Sequence, residues 1–200
     1  MRPHFSDAHI RPALRQALRD ALDPNDEAVL LEELGINRGR VRVDLAVVNG
    51  IIHAYEIKSD RDSLRRLVNQ AILYGKCFDR VTIVVGNRHA HAVQSILPEW
   101  WGVILVETTD GEPTFNTVRA ASANPAPDIR TLAELLWRDD AMELLKHHGS
   151  GRGLSGKPRS VIWDRVCELL PAEVISAAVR AKLKARQGRQ DHRQPWSCDG

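Results

Sequence analysis

Cysteine is scarce in this chain, and long apolar segments are missing. The 200 residues include three cysteines, Cys77, Cys167 and Cys198, which are far apart and show no C-x-x-C spacing. Such a set argues against a disulfide framework and against a zinc site, and it suits a reducing compartment. The longest apolar runs, such as residues 81–85, have the length of a strand and are too short to cross a bilayer. We therefore expect neither a disulfide-rich domain nor a membrane-spanning protein.

A strong charge of one sign and an apolar signal segment are missing as well. The formal net charge is +2, and 43% of the residues are hydrophobic, which is enough to bury a substantial core. The first residues, Met-Arg-Pro-His-Phe-Ser, lead directly into a charged helical pattern, whereas a secretory signal needs an apolar stretch there. We expect a cytoplasmic protein with no membrane partner, built from one main domain and a smaller module.

Two runs rich in β-branched residues, 41–48 and 51–58, flank the dipeptide Asn49-Gly50 and predict a β-hairpin. Asp44 lies in the first run and Glu56 in the second. A two-residue turn would place these carboxylates on opposite faces of the sheet, because side chains alternate along a strand. The register of the hairpin therefore decides whether the two carboxylates can act together.

We favour a three-residue loop of residues 48–50, with Gly50 in the left-handed conformation. In that register Val47 pairs with Ile51 and Asp44 pairs with Ala54. The two faces then separate charged from apolar side chains, which suits a sheet packed under a helix. The charged face holds Asp44, Glu56 and Lys58, and the apolar face holds Val43, Leu45, Val47, Ile51, His53, Tyr55 and Ile57.

Two interpretations of the charged face remain open. In the first, Asp44 is a solvated strand residue, and Glu56 and Lys58 form an exposed pair on an edge strand, where charges are common. In the second, these side chains form a site, because a charge within an otherwise apolar central strand is costly unless it binds something. Two carboxylates beside an amine are what metal-assisted phosphodiester hydrolysis requires. We favour the second interpretation.

With these residues the chain resembles the PD-(D/E)XK nuclease superfamily. Asp44 matches the strand aspartate, and Glu56-Ile57-Lys58 matches the (D/E)-x-K element. The helix expected at residues 61–78 carries Gln70 and Tyr74, which match the Q-x-x-x-Y of the RecB-like branch and lie on one helix face. Val43 stands where the family name has a proline. The resemblance covers about residues 27–86 and extends to a small bacterial group of uncharacterised nuclease-like proteins with a helical tail.

The resemblance implies a metal site for Mg²⁺ or Mn²⁺. Asp44, Glu56 and the backbone carbonyl of Ile57 would bind the ion, since Mg²⁺ prefers oxygen ligands. In such families an acidic residue of the segment before the hairpin often completes the metal shell. We expect a helix at residues 26–34, in which Glu33 would be this further ligand, with Glu32 as the alternative. Both can equally be solvated helix residues.

The resemblance also implies roles for three further side chains. Lys58 would orient or help to deprotonate the attacking water, or stabilise the charge of the transition state. Gln70 and Tyr74 would position the DNA backbone or the water. Taken alone, Tyr74 can equally be a core residue with Gln70 as a polar neighbour.

The rest of the chain predicts an α/β fold, a restriction-endonuclease-like mixed sheet with flanking helices. We expect a helix at 7–21, strands at 81–85 and 103–107, and a helix at 90–97 between them, while the extra strand that usually precedes the hairpin is not evident. Residues 1–119 would form this nuclease-like core and residues 120–127 a linker. Residues 128–189 would form a basic all-helical module with helices at 131–147, 160–170 and 172–186. Residues 190–200 would be disordered.

Basic residues are concentrated in the C-terminal part of the chain. Residues 146–193 hold eleven basic side chains against four acidic ones. A glycine-rich loop within this segment carries Arg152, Lys157 and Arg159, and its backbone can approach phosphates closely. We expect these three residues to bind nucleic acid, although basic side chains on a solvated helix surface would give the same composition.

The sequence therefore predicts a metal-dependent nuclease that hydrolyses phosphodiester bonds in DNA, a Mg-dependent deoxyribonuclease. RNA as substrate, endo- or exonuclease mode and oligomeric state stay open. The main alternative is a catalytically inactive protein of the nuclease fold that serves as a DNA-binding or assembly subunit. A sheet-based protein-interaction module is a third interpretation, and it would make the basic segment incidental.

Overall fold

The computed structural model describes residues 5–187, which form six strands and seven helices in one α/β unit. The strands are β1 (Val29–Ile36), β2 (Val41–Asn49), β3 (Ile51–Lys58), β4 (Arg80–Val85), β5 (Gly102–Thr109) and β6 (Glu112–Arg119). The helices are α1 (Asp7–Asp20), α2 (Leu67–Cys77), α3 (Ala90–Ile96), α4 (Ile129–Ala133), α5 (Arg138–His147), α6 (Arg159–Leu169) and α7 (Ala172–Gln187). Short 3-10 helices at Leu64–Arg66 and Asn87–His89 precede α2 and α3.

The six strands form one mixed sheet in the order β1-β2-β3-β4-β5-β6. The pairs β1–β2 and β2–β3 are antiparallel, the pairs β3–β4 and β4–β5 are parallel, and β6 returns antiparallel to β5. The two parallel connections contain α2 and α3, as crossovers between parallel strands usually contain a helix. The predicted α/β fold class, a mixed sheet with flanking helices and a helical C-terminal region, is confirmed.

Each face of the sheet carries a hydrophobic core. On one face α1 packs through Ile10 and Leu14 against side chains that include Leu45 and Tyr55. On the other face α2 and the C-terminal helices share one continuous cluster, in which Tyr74 and Trp163 are fully buried. Both faces of the central strands are thus covered, which explains their nearly continuous apolar sequence. The polar side chains within these strands are consequently held close to the core.

The segment predicted as a helix at residues 26–34 is the strand β1, so that prediction is wrong. Its residues pair with β2 from Val29–Val48 to Ile36–Val41. Tertiary pairing overrides helical preference here, because β1 covers the edge that β2 would otherwise expose. The strand that we did not find before the hairpin is therefore present, and Glu33 lies on a strand with a φ of +52°.

The hairpin register differs from the predicted one by two residues. Asn49 pairs with Ile51 and Ala46 pairs with Ala54, so the predicted pairs Val47–Ile51 and Asp44–Ala54 are wrong. Gly50 lies at the tip with a φ of +65°, the left-handed conformation that was predicted for it. The shift preserves the alternation of side chains, because it moves the pairing by an even number of residues.

Val43 does not lie with Leu45 and Val47, as the alternation predicts. It belongs to the core under α2 and the C-terminal helices, whereas Leu45 and Val47 pack on the side of α1. The β1–β2 pairing skips Glu33, and the β2–β3 pairing ends at Leu45–Tyr55. The strand is irregular at this point, so a strict period of two fails there.

Other element boundaries also differ from the predicted ones. The helix predicted at 131–147 is interrupted between α4 and α5, and β6, which follows the turn Asp110-Gly111, was not predicted. The predicted linker is irregular, and Asn124 donates hydrogen bonds from its amide to the carbonyls of Gly75 and Phe78. The predicted disordered tail lies outside the described residues. Within residues 5–187 no helix is long and apolar enough to cross a membrane.

Candidate functional site

Glu56 is a carboxylate at the edge of the buried core. It lies on β3 with only 2% of its surface exposed, and it points toward α2. Gln70 donates to its Oε1 atom at 2.7 Å, and the Tyr74 hydroxyl donates to its Oε2 atom at 2.6 Å. The Lys58 ammonium forms an ion pair with Oε1. A buried carboxylate is tolerated only with such partners, because desolvation of the charge costs several kcal/mol.

The spacing of Gln70 and Tyr74 on α2 brings both side chains to Glu56. The Tyr74 ring is fully buried and stacks on Trp101 with a centroid distance of 6.0 Å. Its hydroxyl also lies 3.0 Å from the carbonyl oxygen of Arg42, so one proton faces two acceptors. Burial and the nearby Glu56 carboxylate raise the pKa of Tyr74, so the phenol stays protonated. Tyr74 is thus both a core residue and a donor to the site.

Asp44 lies beside Glu56 in the same pocket, with a side chain that is 17% exposed. Its Oδ2 atom accepts a hydrogen bond from the backbone N–H of Ile57 at 2.7 Å, and its Oδ1 atom accepts one from the Arg11 guanidinium at 2.6 Å. Burial, and secondly the charge of Glu56, raise the pKa of Asp44 to about 6. The two carboxylates therefore repel each other, which is the arrangement that a shared cation would relieve.

The pocket opens where β2 and β3 stop pairing. The ladder between them ends at Leu45–Tyr55, and the Asp44 carboxylate takes the N–H of Ile57, two residues further along β3. β3 meanwhile continues its parallel pairing with β4 as far as Lys58. The gap holds a pocket of about 420 Å³ that Asp44, Glu56, Lys58 and Gln70 line together. Four of the predicted site residues thus meet in one pocket.

One acceptor in this pocket has no partner. The side-chain Oε1 atom of Gln70 is buried and accepts no hydrogen bond within the described chain. An orphaned buried acceptor costs about 1–3 kcal/mol, so its retention calls for an explanation such as an ordered water or a ligand. The atom belongs to the residue that already binds Glu56, so such a ligand would lie against the carboxylates.

Glu33 does not join Asp44 and Glu56 directly, although its side chain reaches the same region. Its carboxylate pairs with Arg11, whose Nη2 atom binds Asp44 and whose Nε atom lies 3.2 Å from Asp7. Glu32 pairs instead with Arg15 of α1 at 3.0 Å. The cation between Glu33 and Asp44 is therefore a guanidinium of the chain itself, and sequence reasoning missed Arg11 because it lies 33 residues before Asp44.

The donor set of the pocket suits a hard divalent cation in part. Asp44 and Glu56 supply carboxylate oxygens, and one or two carboxylates plus substrate phosphates are the usual protein ligands of Mg²⁺. Within residues 5–187, no three His, Cys, Asp or Glu side chains are arranged to hold a metal ion by themselves. Ile57 contributes its N–H to Asp44, and its carbonyl stays a predicted ligand. The residues present therefore fit an ion that completes its shell with water and substrate.

Arginines that sequence reasoning missed surround the pocket. Arg40, Arg42 and Arg66 line it, and Arg65 and Arg66 line an adjoining pocket of about 490 Å³. All four side chains are exposed. The sequence contains a signal for these arginines, since Arg38, Arg40 and Arg42 alternate just before Asp44. The turn between β1 and β2 that carries them was not recognised, because residues 26–34 were predicted to be a helix.

The predicted nucleic-acid residues of the C-terminal region lie elsewhere. Arg152 and Lys157 are exposed in the loop between α5 and α6, and Arg159 begins α6. None of the three lines the pocket of Asp44 and Glu56. Their role in binding stays a prediction.

Comparison with known proteins places the chain in a phage protein family. Residues 2–196 match the family model described as Bacteriophage P4 protein cII. Protein cII of Enterobacteria phage P4 is 27% identical over 123 residues, which are 62% of this chain and 47% of that protein. The aligned region thus spans about half the length of that curated relative. A solved structure, the SPO1766 protein of unknown function from Silicibacter pomeroyi, aligns with a TM-score of 0.39 and 19% identity over 74% of this chain and 94% of its own. Since the family model covers nearly the whole sequence, the chain belongs to the bacteriophage P4 protein cII family.

Proposed function

We propose that this protein is a metal-dependent nuclease that hydrolyses phosphodiester bonds in DNA. The observation that carries the proposal is the pocket in which buried Glu56, Asp44, Lys58 and Gln70 converge at the point where β2 and β3 separate. The fold supports the resemblance to the PD-(D/E)XK superfamily, because β1 supplies the strand that usually precedes the hairpin.

Asp44 and Glu56, together with the carbonyl of Ile57, would hold Mg²⁺ or Mn²⁺. A bound divalent ion supplies positive charge at the phosphoryl oxygens and favours ionisation of water at neutral pH. The chain's own residues would organise the reaction around it. Ile57 N–H and Arg11 fix the Asp44 carboxylate, and Tyr74 and Gln70 fix that of Glu56.

Lys58 and Gln70 would act on the reacting groups. In hydrolysis a water oxygen bonds to phosphorus, the ester P–O bond breaks, and the products are a phosphate monoester and an alcohol. The Lys58 ammonium, 12% exposed beside Glu56, would offset the negative charge that grows on the phosphoryl oxygens. The free Oε1 atom of Gln70 would accept a hydrogen bond from the attacking water and orient it. Arg152, Lys157 and Arg159 would add phosphate contacts from the C-terminal region.

One observation favours the alternative, an inactive nuclease-fold protein that binds DNA or serves as an assembly subunit. Arg11 pairs with Asp44 and Lys58 pairs with Glu56, so each carboxylate has a counterion in the chain itself. Such a site can be stable without a metal. The two proposals differ in whether Mg²⁺ or Mn²⁺ binds in the pocket and produces cleavage.

The deciding experiment is incubation of the full chain with circular and linear DNA, single- and double-stranded, with Mg²⁺, with Mn²⁺ and with EDTA. The nuclease proposal predicts cleavage of at least one substrate with a divalent ion and none with EDTA. DNA that is bound but left intact under every metal condition would favour the inactive binding protein. Including RNA in the same series tests whether cleavage depends on the sugar of the nucleic acid.

A further inference from the structure

The arginines around the pocket have no counterion among the described residues, whereas several arginines elsewhere in the chain do. Arg11, Arg15, Arg130, Arg165 and Arg186 each pair with a carboxylate. Among the described residues, Arg40, Arg42, Arg65 and Arg66 form no side-chain ion pair or hydrogen bond. We call these four residues the arginine rim. An exposed guanidinium without a partner keeps all five of its N–H donors available.

The arginine rim surrounds the carboxylates from two sides. Arg40 and Arg42 come from the turn between β1 and β2 and the start of β2, whereas Arg65 and Arg66 come from the 3-10 helix that precedes α2. The two adjoining pockets share Lys58 and Arg66, so cationic side chains line both of them. The surface is therefore a cationic groove with Glu56 at its floor.

The charge of the floor does not cancel that of the rim. Asp44 is already paired with Arg11, and Glu56 is paired with Lys58. The mouth then carries four guanidinium groups against one carboxylate, that of Asp62, which accepts hydrogen bonds from Ser59, so a net positive charge remains. A groove with this distribution attracts a polyanion and excludes cationic partners.

We propose that the arginine rim binds successive phosphates of a nucleic-acid strand and lays that strand across Glu56. A guanidinium group can donate two parallel hydrogen bonds to one phosphate. A strand presents one phosphate per nucleotide, so a groove with arginines on two sides can bind several phosphates of the same strand. The proposal rests on the proposed function only in naming nucleic acid as the polyanion. It adds the path of the strand, which then passes over the pocket rather than being held by the C-terminal loop alone.

The test compares two triple variants of the full chain that lose the same charge. The rim variant is Arg40→Gln, Arg42→Gln, Arg66→Gln. The control variant is Arg19→Gln, Arg80→Gln, Arg180→Gln, which alters three arginines outside both pockets. Binding to a fluorescein-labelled DNA duplex and to its isolated strand is measured by anisotropy across a salt series in EDTA. Circular dichroism and thermal melting verify that each variant is folded.

We expect the rim variant to lower the slope of log K against log salt by roughly 2 to 3 for duplex DNA, at ~0.9 per lost phosphate contact, and the control variant to leave it nearly unchanged. A third variant, with lysine at the same three rim positions, should regain most of the slope, because lysine keeps the charge and loses only the fork. Equal slopes for the rim and control variants, or a wild type that binds neither probe, would overturn the proposal. Tighter binding of a polyglutamate peptide than of DNA would also overturn it, in favour of an acidic protein partner.

The outcome is independent of catalysis. DNA binding is measured in EDTA and does not require cleavage. If the arginine rim binds DNA but the protein never cleaves it, the nuclease proposal is refuted and the proposal for the arginine rim stands. Conversely, metal-dependent cleavage by a rim variant with wild-type salt dependence would refute the rim and leave the nuclease proposal intact.

Discussion

The Nη2 atom of Arg11 lies 2.6 Å from the Oδ1 atom of Asp44, so a helix on one face of the sheet supplies a cation to the carboxylate of the pocket. The same guanidinium also pairs with Glu33 and Asp7. A divalent ion bound to Asp44 would lie close to this positive charge. Arg11 therefore fixes Asp44 in place and opposes the ion that Asp44 would hold.

Arg11→Met should consequently strengthen metal binding. If the opposing interaction is about 1 kcal/mol, the scale of a partly exposed ion pair, the Kd for Mn²⁺ should fall roughly 5-fold. Isothermal titration or Mn²⁺ electron paramagnetic resonance measures this value. The control is Arg15→Met, since Arg15 lies one turn along α1 and pairs with Glu32 at 3.0 Å, away from the pocket. Weaker Mn²⁺ binding in Arg11→Met would mean that Arg11 serves only to position Asp44.

Asp44 should lower the stability of the metal-free protein as the pH rises, the opposite of the usual effect of a paired carboxylate. Burial and Glu56 raise its pKa from 3.8 to about 6, so the folded state binds a proton more tightly than the unfolded state does. Stability from this group is therefore present below about pH 4 and is lost as the pH rises to about 6. Between pH 4 and pH 7, Asp44→Asn should gain about 1–3 kcal/mol in unfolding free energy relative to wild type. Urea titrations at each pH measure the difference, and a constant difference would exclude a raised pKa.

Tyr74→Phe should destabilise the fold while preserving its packing. The substitution removes the hydroxyl that lies 2.6 Å from the Oε2 atom of Glu56 and leaves a buried carboxylate oxygen without that donor. Loss of one partner of a buried hydrogen bond to a charged group costs about 1–3 kcal/mol. Urea denaturation should show this loss, and Glu56→Gln combined with Tyr74→Phe should show less than the sum of the single effects. Additive effects would mean that the two side chains are not coupled.

Gly86 sets the position of the segment after Lys58. A Cβ atom there would lie 2.2 Å from the Oδ1 atom of Asp60, and the Gly86 N–H donates to the carbonyl of Lys58 at 3.2 Å. Gly86→Ala should therefore displace the Asp60 carboxylate from the Arg88 N–H, which donates to it at 3.0 Å, and lower the free energy of unfolding by about 1 kcal/mol. Gly156→Ala is the control, because a Cβ atom at that position meets no atom within 4 Å. Equal melting temperatures for the two variants would show that the close approach is not maintained in solution.

Local sequence was sufficient to predict the central elements of this fold. The β-branched runs around Asn49-Gly50 predicted β2 and β3, and the i, i+4 spacing on α2 placed Gln70 and Tyr74 on one face. Asp44 and Glu56 line one pocket, as the hairpin predicted, although the paired residues were predicted wrongly and the ladder ends before Asp44. Such properties depend on short-range periodicity, which a single sequence contains.

The missed features depend on contacts between distant segments. β1 is a strand because it pairs with β2, although its residues have a helical pattern. Arg11 reaches Asp44 from α1, and the arginine rim combines a turn and a 3-10 helix that are more than twenty residues apart. Nothing local to these segments indicates their partners. The pairing of Glu33 with Arg11 was missed for the same reason, and the place of Glu33 in a metal shell stays a prediction.

Cleavage of supercoiled plasmid DNA with Mg²⁺ tests the nuclease proposal most sharply, measured for wild type, Lys58→Met, Glu56→Gln and the control Lys76→Met. Lys76 is an exposed lysine of α2 that lines neither pocket. Loss of a group that stabilises charge in the transition state lowers the rate by about 10²–10³-fold. We predict that reduction for Lys58→Met and at least as large a reduction for Glu56→Gln, with Lys76→Met equal to wild type. Cleavage at the wild-type rate by both pocket variants, or no metal-dependent cleavage by wild type, would refute the nuclease proposal.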